Sequence, residues 1–217
     1  VKNKNACPRY SGCVIDNIKV GESPLEIKNY LSSIIKNYLS SIGVKSINNV
    51  VDITNYVLHS IGQPLHAFDF NKIKQKKIIV KYAEKNEKFL SLDGIERSLH
   101  KNDLMICDGN KKPMCIAGVF GGEESGVSEN TSTIFLESAY FNPSDVRKSS
   151  QNHQLKTDAS YRFERGIDPN ITIYALKYAS MMLCKYCGGT VSSDIQDLYP
   201  NKIEDREIKF SLDRINK

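Results

Sequence analysis

The 217-residue sequence has no tryptophan and no apolar run approaching 18 residues. The second absence leaves no candidate for a membrane-spanning helix. No basic start leads into an apolar stretch with a small-residue cleavage site, so no secretory signal is expected. Three catalytic signatures are missing as well: G-x-x-x-x-G-K-[ST], H-E-x-x-H and G-x-S-x-G. Each would have marked a bound nucleotide, a zinc ion or an activated serine. Excess charge of one sign is also lacking. Lys and Arg number 30 against 25 Asp and Glu, a net +5. That balance permits a nucleic-acid partner without demanding one.

What is there is the composition of a folded chain. The hydrophobic set is 40 % and charged residues are 25 %, near the globular average. The length fits one large domain or two small ones, with a core that needs no disulfide or metal. Cys7, Cys13, Cys107, Cys115, Cys184 and Cys187 read as reduced thiols in a cytosolic protein. Cys184-Lys-Tyr-Cys187 has the spacing of a redox or zinc motif, but no second Cys or His pair has matching ligand spacing. Buried structural cysteines are therefore expected, and no metal.

Along the chain, residues 9–20 read as a strand. Ser23-Pro24 opens a helix, with Ser as N-cap and Pro at the first helical position. Leu25, Ile27, Leu31, Ile34, Tyr38 and Ile42 hold one apolar face down to Gly43. Within it, residues 27–34 and 35–42 are identical octets, a local duplication that lengthens the helix by about 12 Å. Residues 48–61 have helical spacing and Gly62 stops it. Residues 66–70 read as an extended or turn segment. Strand patterns follow at 78–82, 88–92, 96–99, 103–107 and 113–119, with turns at Asp93-Gly94 and Asp108-Gly109-Asn110. Gly121-Gly122 opens a polar loop to Ser132, and residues 133–140 form another strand. Helices are expected from Asn142-Pro143, from near Thr157, and from an Asp168-Pro169 cap to Gly188. Strands are expected at 190–194 and 207–210, then a helix opening at Ser211 that is cut off, as in an excerpt of a longer protein. Strands and helices come in blocks, so the expected class is α+β, with mostly antiparallel β-sheets in a sandwich-like core with flanking helices.

Single residues say little by position. His66 reads first as a satisfied interior histidine. Glu137, in the apolar run Ile134-Phe-Leu-Glu-Ser-Ala139, reads first as a solvent-facing carboxylate. Gly118-Val-Phe-Gly121-Gly122 reads as a turn, or as bare backbone that a ligand can approach. Residues 72–88 hold seven lysines and two glutamates, a solvated basic edge or a phosphate contact.

Longer strings say more. Ser46-Ile-Asn-Asn-Val-Val-Asp-Ile-Thr-Asn-Tyr-Val57, Gly62-Gln-Pro-Leu-His-Ala-Phe-Asp69, Ile116-Ala-Gly-Val-Phe-Gly-Gly122, Leu136-Glu-Ser-Ala139 and Thr157-Asp-Ala-Ser-Tyr-Arg-Phe-Glu-Arg-Gly-Ile-Asp-Pro169 occur in this order. Together they resemble the editing module of the β subunit of bacterial phenylalanyl-tRNA synthetase, over nearly the whole chain. The resemblance implies that residues 1–205 are the editing domain, its third and fourth modules, and that 206–217 begin the next module. It implies hydrolysis of tyrosine mischarged onto phenylalanine tRNA, within a cytoplasmic α2β2 synthetase whose charging reaction uses ATP and Mg. The fragment itself would need no cofactor and activate no amino acid. A non-catalytic scaffold or tRNA-binding module is the alternative.

Carried over residue by residue, the resemblance makes Glu137 the reader of the tyrosine hydroxyl. His66 and Thr54 fall near the ester, with Asn55 as a further donor. Ala117, Gly118 and Gly121 match one small-residue wall of the pocket, and Thr157 and Ala159 the other. Lys45 stands where the family usually has Arg beside the terminal nucleotide, keeping the charge without the planar fork. Gln154 stands where the family usually has Gly, Phe120 where Met is more usual, and the duplicated octet is extra length.

Overall fold

The structure, a computed structural model, describes residues 1–22, 30–204 and 207–215. Its organising element is β9 (Ile134–Tyr140), the middle of a five-stranded antiparallel sheet. β1 (Arg9–Asp16) pairs along one side of β9 and β2 (Leu65–Asp69) along the other. The far edge of β1 is shared by two short strands, β10 (Thr190–Val191) and β11 (Gln196–Leu198).

Alternation along these strands feeds two cores. Cys13 and Ile15, Ala67, and Ile134 and Leu136 face a layer of helices: α1 (Tyr30–Ser41), α2 (Asn49–Ile61) and α5 (Thr172–Cys187). Val50, Ile53 and Val57 of α2 and Ala175, Leu176, Ala179 and Leu183 of α5 complete that core. Tyr10, Phe68 and Ala139 point the opposite way, into a second core. There they meet a four-stranded antiparallel sheet in the order β3 (Ile79–Tyr82), β6 (Leu104–Cys107), β7 (Pro113–Ile116), β8 (Phe120–Gly121). α3 (Pro143–His153) and α4 (Asp158–Phe163) close this core through Val146 and Phe163. A hairpin of β4 (Lys88–Leu90) and β5 (Glu96–Ser98) bridges to β8 through Ser91 and Gly122. The expected α+β class with antiparallel sheets is what the chain adopts.

Helix ends follow local chemistry. Asn48 caps α2 by accepting the Val51 N–H, and Gly62 ends it at φ 80°. Asn142 caps α3 ahead of Pro143, and Thr157 with Ser160 forms a capping box on α4. α1 runs unbroken across the junction of the two octets. The Ser23-Pro24 cap and Leu25 and Ile27 lie outside the described residues, as do the side chains of Leu31 and Ile34. Ile35 and Leu39 are buried, but Ile42 is exposed, because the helix ends at Ser41 and Ile42 falls past its buried face.

Several expectations are corrected. β1 stops at Asp16 rather than residue 20, because Asn17 turns the chain at φ 61°. The Gly121-Gly122 loop begins with a short strand, β8, held by β7. Asp168 does not cap the long helix: its carboxylate accepts the Asn170 N–H upstream, and α5 starts after Ile171. Residues 207–210 are not a strand; the missing edge strand is β11, whose residues are all exposed. α6 (Leu212–Ile215) provides the expected late helix. The six cysteines are free, five buried and Cys184 partly so.

Gln154 ends α3 at φ 55°, ψ 34°. A Cβ in that left-handed region costs about 1–2 kcal/mol, which glycine avoids. Gln154→Gly is expected to stabilise the fold by about 1 kcal/mol, less some unfolded-state entropy, read as a higher urea midpoint. An unchanged or lower midpoint would show that the turn carries no strain.

Candidate functional site

Glu137 sits on β9 with Gly12 of β1 opposite it on one side and His66 of β2 on the other. All three share the face turned to the second sheet. The solvent-facing reading of Glu137 fails, since the residue is only 5 % exposed. β9 is buried on both faces, so alternation there separates two cores rather than core from solvent. The Tyr10 phenol donates to Glu137 Oε2 at 2.6 Å. Among the described residues this is the carboxylate's one hydrogen bond. Burial pushes the carboxyl up to about 7, and the Tyr10 bond acts the other way by favouring the anion. Burial with the Glu137 charge nearby also holds the Cys7 and Cys115 thiols well above their ordinary range.

His66 is not a satisfied interior histidine either. Its Nε2 is buried with no hydrogen-bond partner, and burial lowers its pKa to about 4. The ring packs edge-on against Phe68, centroids 4.4 Å apart. On its other side lies Gly121, where a Cβ would come within 3.1 Å of His66 Cε1 and 2.8 Å of Leu92 Cδ1. Gly121 is therefore small because the histidine and the β4–β5 turn close on it. Gly118 is small for another reason: it adopts φ 70°, and a Cβ would meet Phe163 and Phe141. Ala117 is buried beside it.

The remaining candidates sit on α2, at the start of α4 and on the loop before α2; of these, α2 packs against the edge strand β2. Thr54 and Asn55 lie on α2, Thr54 buried and Asn55 half-buried. The Thr54 hydroxyl donates to the Val51 carbonyl at 2.8 Å, so its lone pairs are what it offers a ligand. Thr157 Oγ1 accepts the Ser160 N–H and donates to the Val119 carbonyl at 3.0 Å, tying α4 to the β7–β8 turn. Ala159 is half-buried on α4. Arg162 Nη2 lies 3.1 Å from His59 Nδ1, tying α4 to the end of α2. Lys45 is exposed on the loop before α2.

Among the described residues, the buried side-chain N and O atoms without a hydrogen-bond partner are His59 Nε2, Gln63 Oε1 and His66 Nε2; His59 Nε2 faces the Asp158 carboxylate at 3.8 Å. All fall between the last turn of α2 and β2. Buried polar atoms without a hydrogen bond are rare, so Gln63 Oε1 and His66 Nε2, three residues apart, make this segment the candidate place for a ligand or water. Tyr10 and His59 carried no signal in the sequence; Gln63 and Arg162 lie in strings that carried the resemblance but had no role assigned. Tyr10 reaches Glu137 only because β1 and β9 pair across 127 residues.

The residues among those described that could hold a metal are His100, Asp103 and His153. They lie elsewhere, between the β5–β6 turn and α3. Asp103 already accepts from His153 Nε2 at 2.6 Å, Ser149 Oγ at 2.7 Å and the His100 N–H, a satisfied network that fixes α3. Lys72, Lys74, Lys88 and Lys112 line a cavity of about 530 Å³. Lys72, Lys88 and Lys112 are paired with Asp69, Glu96 and Glu124.

The sequence pattern of the B3/4 domain matches residues 6–188. The chain belongs to this family. Over 216 residues, all of this chain, it is 50 % identical to the phenylalanine–tRNA ligase β subunit of Bacteroides fragilis. It is 49 % identical to that of Bacteroides thetaiotaomicron and 48 % to that of Porphyromonas gingivalis. The chain spans 25 % of the length of each of these relatives. A solved N-terminal fragment of the phenylalanyl-tRNA synthetase β subunit from Pyrococcus horikoshii aligns over 99 % of this chain and 56 % of its own. Its TM-score is 0.49 and its identity 16 %, a likeness too weak to bear on the fold.

The Glu137 carboxyl lies above its ordinary value of 4.5, so folding favours its protonated form. The associated stability is complete below pH 4.5 and lost as pH rises through about 7. Glu137→Gln, which mimics the protonated acid, is expected to match the wild type near pH 4. At pH 8 it should exceed it by ~1–3 kcal/mol. Urea titrations at the two pH values check this, and equal differences at both would show that the carboxyl is not perturbed.

Proposed function

We propose that this chain is the editing part of a phenylalanyl-tRNA synthetase β subunit and hydrolyses tyrosine mischarged onto phenylalanine tRNA. The observation that carries the reading is the pair on β9 and β2. Glu137 is a buried acceptor, and beside it His66 holds an unpartnered nitrogen. An apolar pocket rejects an added hydroxyl by only about 100-fold, so a synthetic site for phenylalanine admits some tyrosine. A second site with a buried acceptor inverts the problem. Tyrosine satisfies the Glu137 oxygen that Tyr10 does not hold, and phenylalanine leaves that oxygen unpaired.

The reaction is attack of water on the aminoacyl ester carbonyl. The new C–O bond comes from water, the bond to the ribose oxygen breaks, and a proton ends on the ribose hydroxyl. With its pKa near 4, His66 is neutral at physiological pH. It can accept a hydrogen bond from that water, or donate one to the developing oxyanion in its other tautomer. Thr54 lone pairs and Asn55 assist at the ester end. Gly121 and Ala117 form one wall, and Thr157 and Ala159 the other. Lys45 lies toward the terminal nucleotide as an exposed charge. The whole synthetase is an α2β2 cytoplasmic enzyme that uses ATP and Mg at its charging site. That site belongs to the α subunit. No helix among the described residues is long and apolar enough to cross a membrane.

The test is hydrolysis of tyrosyl- and phenylalanyl-charged phenylalanine tRNA by the assembled synthetase. Losing a hydrogen bond to a charged group costs about 1.5–3 kcal/mol, so Glu137→Ala should slow tyrosyl hydrolysis by about 10- to 150-fold. Phenylalanyl hydrolysis should stay flat or rise. His66→Ala should slow both, with less change in preference. An unchanged tyrosyl-to-phenylalanyl ratio in Glu137→Ala would overturn the assignment, and wild-type enzyme without hydrolysis would leave the scaffold reading.

A further inference from the structure

We propose that Tyr10 is a positioning residue for the hydroxyl reader: its phenol holds Glu137 Oε2 and leaves Oε1 presented to the substrate. This rests on the editing reading above and adds a residue to it. Tyr10 lies on β1 opposite Ala139, one pair along from the Gly12–Glu137 pair on the same face. That diagonal lets a long aromatic side chain reach across the strands. The bond is 2.6 Å and both residues are buried. A carboxylate offers about four lone-pair sites, and Tyr10 uses one of them. No hydrogen bond to Oε1 is found among the described residues. The protein's own phenol thus shows that this carboxylate accepts a phenol at short distance, and a second oxygen remains for another.

Positioning matters because discrimination depends on a penalty. When phenylalanine occupies the site, Oε1 must stay unpaired. A loose carboxylate could swing to another donor and escape that cost. Anchored through Oε2 to a rigid central sheet, it cannot. Tyr10 also supports the charge. The titratable groups facing Glu137 are Tyr10 on β1, His66 on β2, Cys115 on β7 and Cys7 ahead of β1. None is a cation at neutral pH, so the Tyr10 bond is what favours the anion against burial. Only the anion offers both oxygens as acceptors.

The test is Tyr10→Phe, which keeps the ring and removes the donor, in the assembled synthetase. The ratio of tyrosyl to phenylalanyl hydrolysis should fall about 10-fold at pH 7. The pH at which that ratio falls to half should move upward, because the carboxyl now ionises later. In a Glu137→Ala background the same change should have no further effect on the ratio. A purely structural role would slow both substrates alike and leave the pH midpoint in place, overturning the proposal. If Glu137→Ala lowers the ratio and Tyr10→Phe does not, Tyr10 alone is excluded. If the wild-type enzyme shows no tyrosyl preference, the editing reading falls and this inference with it.

Discussion

The Tyr10–Glu137 hydrogen bond allows a carboxylate to sit in the middle strand of a sheet buried on both faces. β9 offers no solvent side on which to place a polar group cheaply. Each polar side chain on it therefore needs a partner in one core or the other. Ser138 faces the helices and donates to the Thr172 carbonyl at the start of α5. Glu137 faces the second sheet and finds Tyr10. These two bonds fasten the central strand to the helical layer and to its own neighbour, and the rest of the architecture is arranged around them.

The site lies where this well-satisfied interior meets the open edge of β2. Three ties join separate elements: Thr157 to Val119 (α4 to the β7–β8 turn), Arg162 to His59 (α4 to α2), and Leu92 N–H to the Gly121 carbonyl (the β4–β5 turn to β8). Yet the segment from the end of α2 to β2 keeps buried atoms without a hydrogen bond on His59, Gln63 and His66. Each buried polar group left unpaired costs about 1–3 kcal/mol. A fold that satisfies Asp103 with three donors but leaves these atoms bare concentrates its cost in one place. That is the pattern expected where ligand binding completes the bonding.

What the sequence made legible was local. Asn48 and Gly62 bracket α2 because capping chemistry acts within a turn. Asn142-Pro143 and Thr157 do the same for α3 and α4. Elements defined by distant pairing were not legible. β8 exists through β7, and β11 through β1, and neither has an apolar pattern of its own. Asp168 shows the opposite failure: a genuine cap signal used to close a turn of its own before α5. In the candidate site, resemblance located Glu137 and His66, while residue patterns alone pointed Glu137 to solvent. Alternation reports two faces but not that both are covered. Tyr10 had no signal at all, because its role exists only after strands far apart in the chain are paired.

Burial reverses the usual order of the two titrating neighbours. In water a glutamate ionises before a histidine gives up its proton, so the two would form an ion pair over the intervening pH range. Here the carboxyl is raised to about 7 and the imidazole lowered to about 4. Between those values both groups favour their neutral forms, and above about 7 the carboxylate faces an uncharged ring. His66 and Glu137 are cross-strand neighbours that do not neutralise each other. Each keeps its hydrogen-bonding capacity for something else. An ion pair would have joined them into one structural unit; the inverted order leaves two uncoupled groups, which is what the proposed division between hydroxyl reader and ester-end group requires.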